Sequence, residues 1–276
     1  MSVPTASIND LDLNWCLDGT DGELVLLVNS LADTLDDWAP QVEALVGAGY
    51  RVLRFDQRGV GERRRRPVPH TTAGLAANAL GLLEHVGAGP VHVIGFTLGG
   101  LVAQELALAR PDLVRSLTLS SAYAAPGPYC VRLLDFWAEL ATAMGVEALL
   151  RDATLSAFTQ AYFEDPNHAL AHLEDVVAQD TDLGLDELLR MLAAMRHHDT
   201  RGRVGRLSAS GVPTLVLAAE EDAQVPPGDS LALHEALPGS RWVLTPGGHG
   251  AAIEFPQAVN AALVGFLASV SAPEAP

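Results

Sequence analysis

Thr97, Asp222 and His249 lie far apart in the chain, and together they hold a hydroxyl, a carboxylate and an imidazole. A hydroxyl is a poor nucleophile until a neutral imidazole accepts its proton. The imidazole must present the right tautomer, which a carboxylate on its other nitrogen enforces. Acyl transfer further needs two backbone N–H groups aimed at the developing oxyanion. Leu98, just after Thr97, is one expected donor. The other is expected in the loop after Val28, at Leu31. The same groups permit a second class of reaction, in which the His–Asp pair abstracts a substrate proton and the N–H groups hold an enolate. Cofactor-free lyase, isomerase, cyclase or oxygenase chemistry would follow, with Thr97 only hydrogen-bonding the substrate. A silent ligand-binding pocket is the third reading.

Each of the three residues follows a stretch suited to a buried strand. Val91-His92-Val93-Ile94 runs into Gly95-Phe96-Thr97-Leu98-Gly99-Gly100, and the Ala- and Leu-rich stretch Leu101 to Arg110 follows as a helix. A strand that turns sharply into a helix pushes its middle side chain above the sheet, and small flanking residues let the turn pinch. Pro213 to Ala218 is a strand before Glu220-Glu221-Asp222, where the following Val225-Pro226 turn selects Asp222 among three acids. Arg241 to Leu244 is the last strand, before Gly248-His249-Gly250. Open α/β sheets place their sites at these carboxyl ends.

The remaining chain supplies the sheet and its cover. An edge hairpin carrying Trp15 is expected up to about Asp18, then buried strands at Glu23 to Val28, Tyr50 to Phe55 and Ser116 to Ser120. Helical spacing marks Trp38 to Val46, Thr72 to His85, Gly228 to Ala236 and a closing helix from Ile253 to Val270, with a frayed tail from Ser271. The Gly-rich turn after Phe55 leads to Arg63-Arg64-Arg65-Arg66-Pro67, read as a solvated loop. Alternating strands and helices predict a mostly parallel sheet covered on both faces. From Cys130 to about Arg206 only helical periodicity appears, so residues 125–206 are expected to form a lid inserted in a core of residues 1–124 and 207–276. Within it Trp137, Phe158, Tyr162 and Phe163 are candidates for an apolar pocket. His197 and His198 are adjacent on a helix and point apart, which argues against a metal site there.

Of 276 residues, 17 are basic and 34 acidic, for a formal charge of −17, which argues against nucleic acid or an anionic membrane surface as partner. Every basic residue is Arg, so Schiff-base and Lys-nucleophile chemistry are excluded. Cys16 and Cys130 match neither a disulfide framework nor a metal-ligand spacing, and suit a reducing compartment. The N-terminus reads as lacking a signal peptide, and no apolar run is long enough to span a bilayer. A cytoplasmic protein acting on a small molecule is expected, and a homo-oligomer is compatible with the sequence.

Several of these segments resemble the α/β-hydrolases, most closely the 3-oxoadipate enol-lactonase group. The likeness rests on Leu27-Val-Asn-Ser-Leu31, Trp38-Ala-Pro-Gln-Val, Arg51-Val-Leu-Arg-Phe-Asp-Gln-Arg-Gly59 and His92-Val-Ile-Gly-Phe-Thr-Leu-Gly-Gly100. Val212-Pro-Thr-Leu-Val-Leu, Asp222 and Gly248-His249 extend it toward the C-terminus. The resemblance implies the α/β-hydrolase fold with a helical cap, no cofactor, and hydrolysis of an ester or lactone by a nucleophile–acid–His triad. Two positions depart from the family pattern: Val60-Gly61-Glu62 replaces the usual His-Gly and small polar residue, and Thr97 replaces the nucleophilic Ser.

Overall fold

The computed structural model describes residues 4–9, 11–57, 70–165 and 183–271. The Arg58-to-Pro67 stretch, residues 166–182 of the expected lid and the tail from residue 272 lie outside the described residues. Eight strands form one sheet: β1 (Thr5–Ile8), β2 (Leu11–Asp18), β3 (Leu24–Val28), β4 (Arg51–Phe55), β5 (Val91–Phe96), β6 (Val114–Ser120), β7 (Thr214–Ala219) and β8 (Arg241–Thr245). Their order is β1-β2-β4-β3-β5-β6-β7-β8. The β1–β2 hairpin and the β2–β4 pair are antiparallel, and all later pairs are parallel.

The continuous apolar runs become strands buried on both faces. In β3, Leu24, Leu26 and Val28 enter one core while Val25 and Leu27 enter the other, as a two-residue side-chain period requires. Helix α1 (Ala39–Gly47) packs one face. Helices α2 (Thr72–His85) and α3 (Leu98–Ala109) pack the other. Between β6 and β7 lie α4 (Pro128–Met144), α5 (Val146–Ala157), α6 (Gln160–Glu164), α7 (Leu185–Arg196) and α8 (Gly205–Ala209), with no strand among the described residues there. Helix α9 (Pro227–Glu235) follows β7, and α10 (Ala251–Glu254) and α11 (Pro256–Ser271) follow β8.

Among the helices the elbow helix and the closing helix depart most from expectation, the others shifting by no more than one residue at either end. Helix α3 begins at Leu98, directly after Thr97, and ends at Ala109 because Arg110 precedes a proline and leaves helical geometry. The closing helix is two helices, since Pro256 cannot donate inside a helix and instead starts α11.

His197 is exposed and His198 is buried, so the adjacent rings diverge. His198 pins the insert to the core: its Nδ1 lies 2.9 Å from Thr72 Oγ1. Burial lowers the His198 pKa to about 4, with Glu105, Arg203 and Asp199 as smaller influences. The folded protein therefore favours the neutral ring. This contribution is full above about pH 6.5 and is lost as the pH falls toward 4, a loss of about 3 kcal/mol at most. Denaturant titration at pH 7 and pH 4.5 is expected to show that decline, with a shallower one in His198→Gln. An equal decline in both proteins would remove His198 as its source.

Candidate active site

At the end of β5 the backbone of Thr97 is held at φ +49° and ψ −109°, a conformation costly for any residue with a β-carbon and more so for a β-branched one. The surrounding backbone leaves no alternative. A β-carbon at Gly95 would lie 2.2 Å from the Gly99 carbonyl oxygen, and one at Gly99 would lie 1.9 Å from that of Val28. Thr97 N–H donates to the Ser120 carbonyl at 2.9 Å, which fixes the turn to β6. Strain of this kind persists only where the surroundings enforce it, and it gathers at functional sites.

The three distant residues meet here. Thr97 Oγ1 lies 2.8 Å from His249 Nε2, and His249 Nδ1 lies 2.9 Å from each oxygen of Asp222. An ionised carboxylate can only accept, so Nδ1 carries the proton and Nε2 is left to accept from the Thr97 hydroxyl. Thr97, His249 and Asp222 are all buried, whereas Glu220 and Glu221 are exposed, so of the three acids only Asp222 is buried beside His249. Burial pushes the Asp222 carboxyl up. His249 together with N–H and O–H donors outweighs this and holds it below the usual carboxylate range. Those donors are Val225 N at 2.8 Å and Ser121 Oγ at 2.8 Å, and Gln224 N donates to the same carboxylate at 2.9 Å. Sequence reasoning misses Ser121 and Gln224: nothing in the sequence marks the first beyond its place after β6. The second is signalled only by standing two residues past the acid.

The loop after β3 is organised by Asn29, which accepts from Trp38 Nε1 at 2.6 Å and donates to the Asp33 carbonyl at 3.2 Å. Its own carbonyl accepts from Gln57 at 2.9 Å, and Ala32 takes a positive φ of 64°. Among the described residues the Leu31 N–H meets no acceptor. Leu98 opens α3, so its N–H has no intrahelical partner. The Leu98 N–H is thus available at the elbow, where a helix N-terminus favours negative charge, and Leu31 lines the same cavity as Thr97.

Above Thr97 and His249 lies a cavity of about 200 Å³, walled largely by apolar side chains. Trp137 and Phe158 line it, and Trp137 Nε1 is tied to Asp152 at 2.8 Å. Tyr162 and Phe163, the other two candidates, do not line it. Tyr162 stacks against Phe158 at 4.3 Å and Phe163 meets Tyr162 edge-on at 5.7 Å, so both pack against Phe158 or each other outside the lining. Among the described residues no cluster of His, Cys, Asp or Glu is arranged to hold a metal, and no helix is long and apolar enough to cross a membrane.

A mostly parallel sheet with polar residues raised on the loops after β5, β7 and β8 is the architecture of the α/β-hydrolases. The chain belongs to that family: residues 23–256 match the family described as alpha/beta hydrolase fold, and the protein is a hydrolase-fold enzyme. Its relatives include "Putative carbamate hydrolase RutD" of Variovorax paradoxus, 33% identical, with 93% of this chain and 96% of that protein covered. The enol-lactonase from Burkholderia xenovorans LB400 superposes with a TM-score of 0.85 at 28% identity, over 96% of this chain and 100% of that one. A thermophilic esterase from Thermogutta terrifontis gives 0.84 at 25% identity, over 99% and 100%.

Proposed function

We propose that the protein hydrolyses an ester or lactone of a small, largely apolar organic molecule, with Thr97 as nucleophile. The observation that carries this reading is the unbroken relay from the Thr97 hydroxyl through His249 to Asp222 at the floor of a largely apolar cavity. Thr97 attacks the carbonyl carbon while His249 Nε2 takes its proton, and Asp222 stabilises the imidazolium that forms. The N–H groups of Leu31 and Leu98 receive the oxyanion. His249 then protonates the leaving oxygen, and water activated by the same nitrogen releases the acid and restores Thr97. No cofactor is required. The relative named "Putative carbamate hydrolase RutD", the enol-lactonase and the esterase bear names that share one target, a carbonyl flanked by a heteroatom.

Residues 125–206 serve as the cap, since Trp137, Leu150 and Phe158 from this insert meet the core across the cavity. The lining includes the acidic Asp33 and Asp37, which favours an uncharged acyl group over an anionic one. Free thiols at Cys16 and Cys130 suit a reducing cytoplasm.

Treatment with a fluorophosphonate followed by peptide mass spectrometry tests the reading. The adduct is expected on the peptide containing Thr97, with loss of turnover of an activated ester. Ester turnover that survives complete labelling, or a label placed elsewhere, would overturn it.

A further inference from the structure

The loops bearing His249 and Asp222 are fastened to the insert as well as to the sheet. Gly250 N–H donates to the Ala157 carbonyl at 2.7 Å, at the end of α5. Gln224, just past the acid, donates through Nε2 to the Ala153 carbonyl at 2.7 Å and to Ser156 Oγ at 3.1 Å. The third fastening is Glu254, at the end of α10. Its carboxylate accepts from Gly248 N–H at 3.1 Å, from Thr159 N–H at 3.4 Å and from the Thr159 hydroxyl. Thr159 opens α6 of the insert. No Arg or His forms an ion pair with Glu254 among the described residues, so these donors are what the carboxylate serves there.

The fit is tight on either side of His249. A β-carbon at Gly248 would lie 2.5 Å from the Ala157 carbonyl oxygen, and one at Gly250 would lie 2.6 Å from the Phe158 ring. Residues 153–159 of the insert thus touch the backbone before His249, the backbone after it, and the turn that follows Asp222.

We propose that Glu254 is a positioning residue that clasps the His249 loop to Thr159, so that the relay is aligned only while residues 153–159 are seated on the core. The inference rests on His249 and Asp222 acting in catalysis as proposed above. A carboxylate suits the task because it accepts from several donors at once without needing one of its own. Movement of the insert, as substrate entry or product release demands, would then loosen the imidazole along with the roof. Hydrolysis and closure become one event.

Two variants break the clasp from opposite sides. Glu254→Ala acts from the core. Thr159→Val acts from the insert and leaves the His249 loop untouched in sequence. Both are expected to lower kcat, by about 100-fold and about tenfold, with KM changed by less than about threefold, since misplacement of about 1 Å costs about that much. Glu254→Gln keeps one acceptor oxygen and should recover part of the loss. In the intact protein, the downfield proton resonance of His249 Nδ1–H bonded to Asp222 should broaden or shift in Glu254→Ala and Thr159→Val, while the exposed control Glu43→Gln leaves kcat and resonance unchanged. If kcat stays within twofold of the parent in both clasp variants, or falls while the resonance is unaltered, the clasp is excluded. A parent protein inert toward all esters would instead defeat the hydrolytic reading, and the resonance alone would then decide the clasp.

Discussion

Alanine at position 97 is expected to cut turnover of an activated ester by about 10⁴-fold, whereas serine at the same position should raise it by about tenfold. The first effect follows from removing the attacking oxygen. What remains is the modest catalysis of the oxyanion donors and of binding. The second follows from the backbone at φ +49°, where a β-branched side chain is crowded by the turn that holds it. Removing the methyl widens the rotamer choice and turns a secondary alcohol into a primary one, and a tenfold gain corresponds to only about 1.4 kcal/mol in the barrier. Steady-state kinetics on the three proteins decides the matter. Retention of parental turnover by Thr97→Ala, with loss in His249→Ala, would assign the site to proton abstraction instead.

The second large effect is expected at the acid. Asp222→Asn should lower kcat by about 10⁴-fold with little change in overall structure. Asparagine presents an amide that can donate to His249 Nδ1, which moves the ring proton to Nε2 and leaves nothing to accept from Thr97. Asp222 is held below the ordinary carboxylate range, so its own protonation contributes no fall in rate above about pH 4. The depressed value also carries stability, present above the unfolded carboxyl's pKa and lost as the pH falls through the folded one. A variant that kept more than about a tenth of parental kcat would show that the carboxylate does not set the tautomer.

Much of this is legible in the sequence. Long apolar runs such as Leu24 to Val28 read as strands because burial on both faces leaves no polar face to confuse the period. The elbow was legible because Gly95 and Gly99 stand where any side chain would strike backbone. His249 could be found from its place between glycines after the last strand. Other features depend on contacts between residues far apart in sequence, which no local pattern encodes. Ser121 meets Asp222 across 101 positions, and Glu254 meets Thr159 across 95. Tyr162 and Phe163 look like pocket aromatics in sequence, yet an aromatic helical face packs equally well against another aromatic. The break at Phe255 turned on Pro256, whose effect was outweighed in the sequence by the apolar run around it.

The close approach of the β5 turn to β3 bears on how this enzyme could be remade. With Gly99 seated against the Val28 carbonyl, the Thr97 hydroxyl is anchored to main chain and has almost no freedom to be relocated by mutation. The opposite wall is made of side chains, among them Leu133, Trp137, Leu150 and Phe158, which can be exchanged without disturbing that anchor. Libraries restricted to those positions should therefore shift acyl preference while sparing chemistry, and libraries at the glycines should yield mostly unfolded proteins.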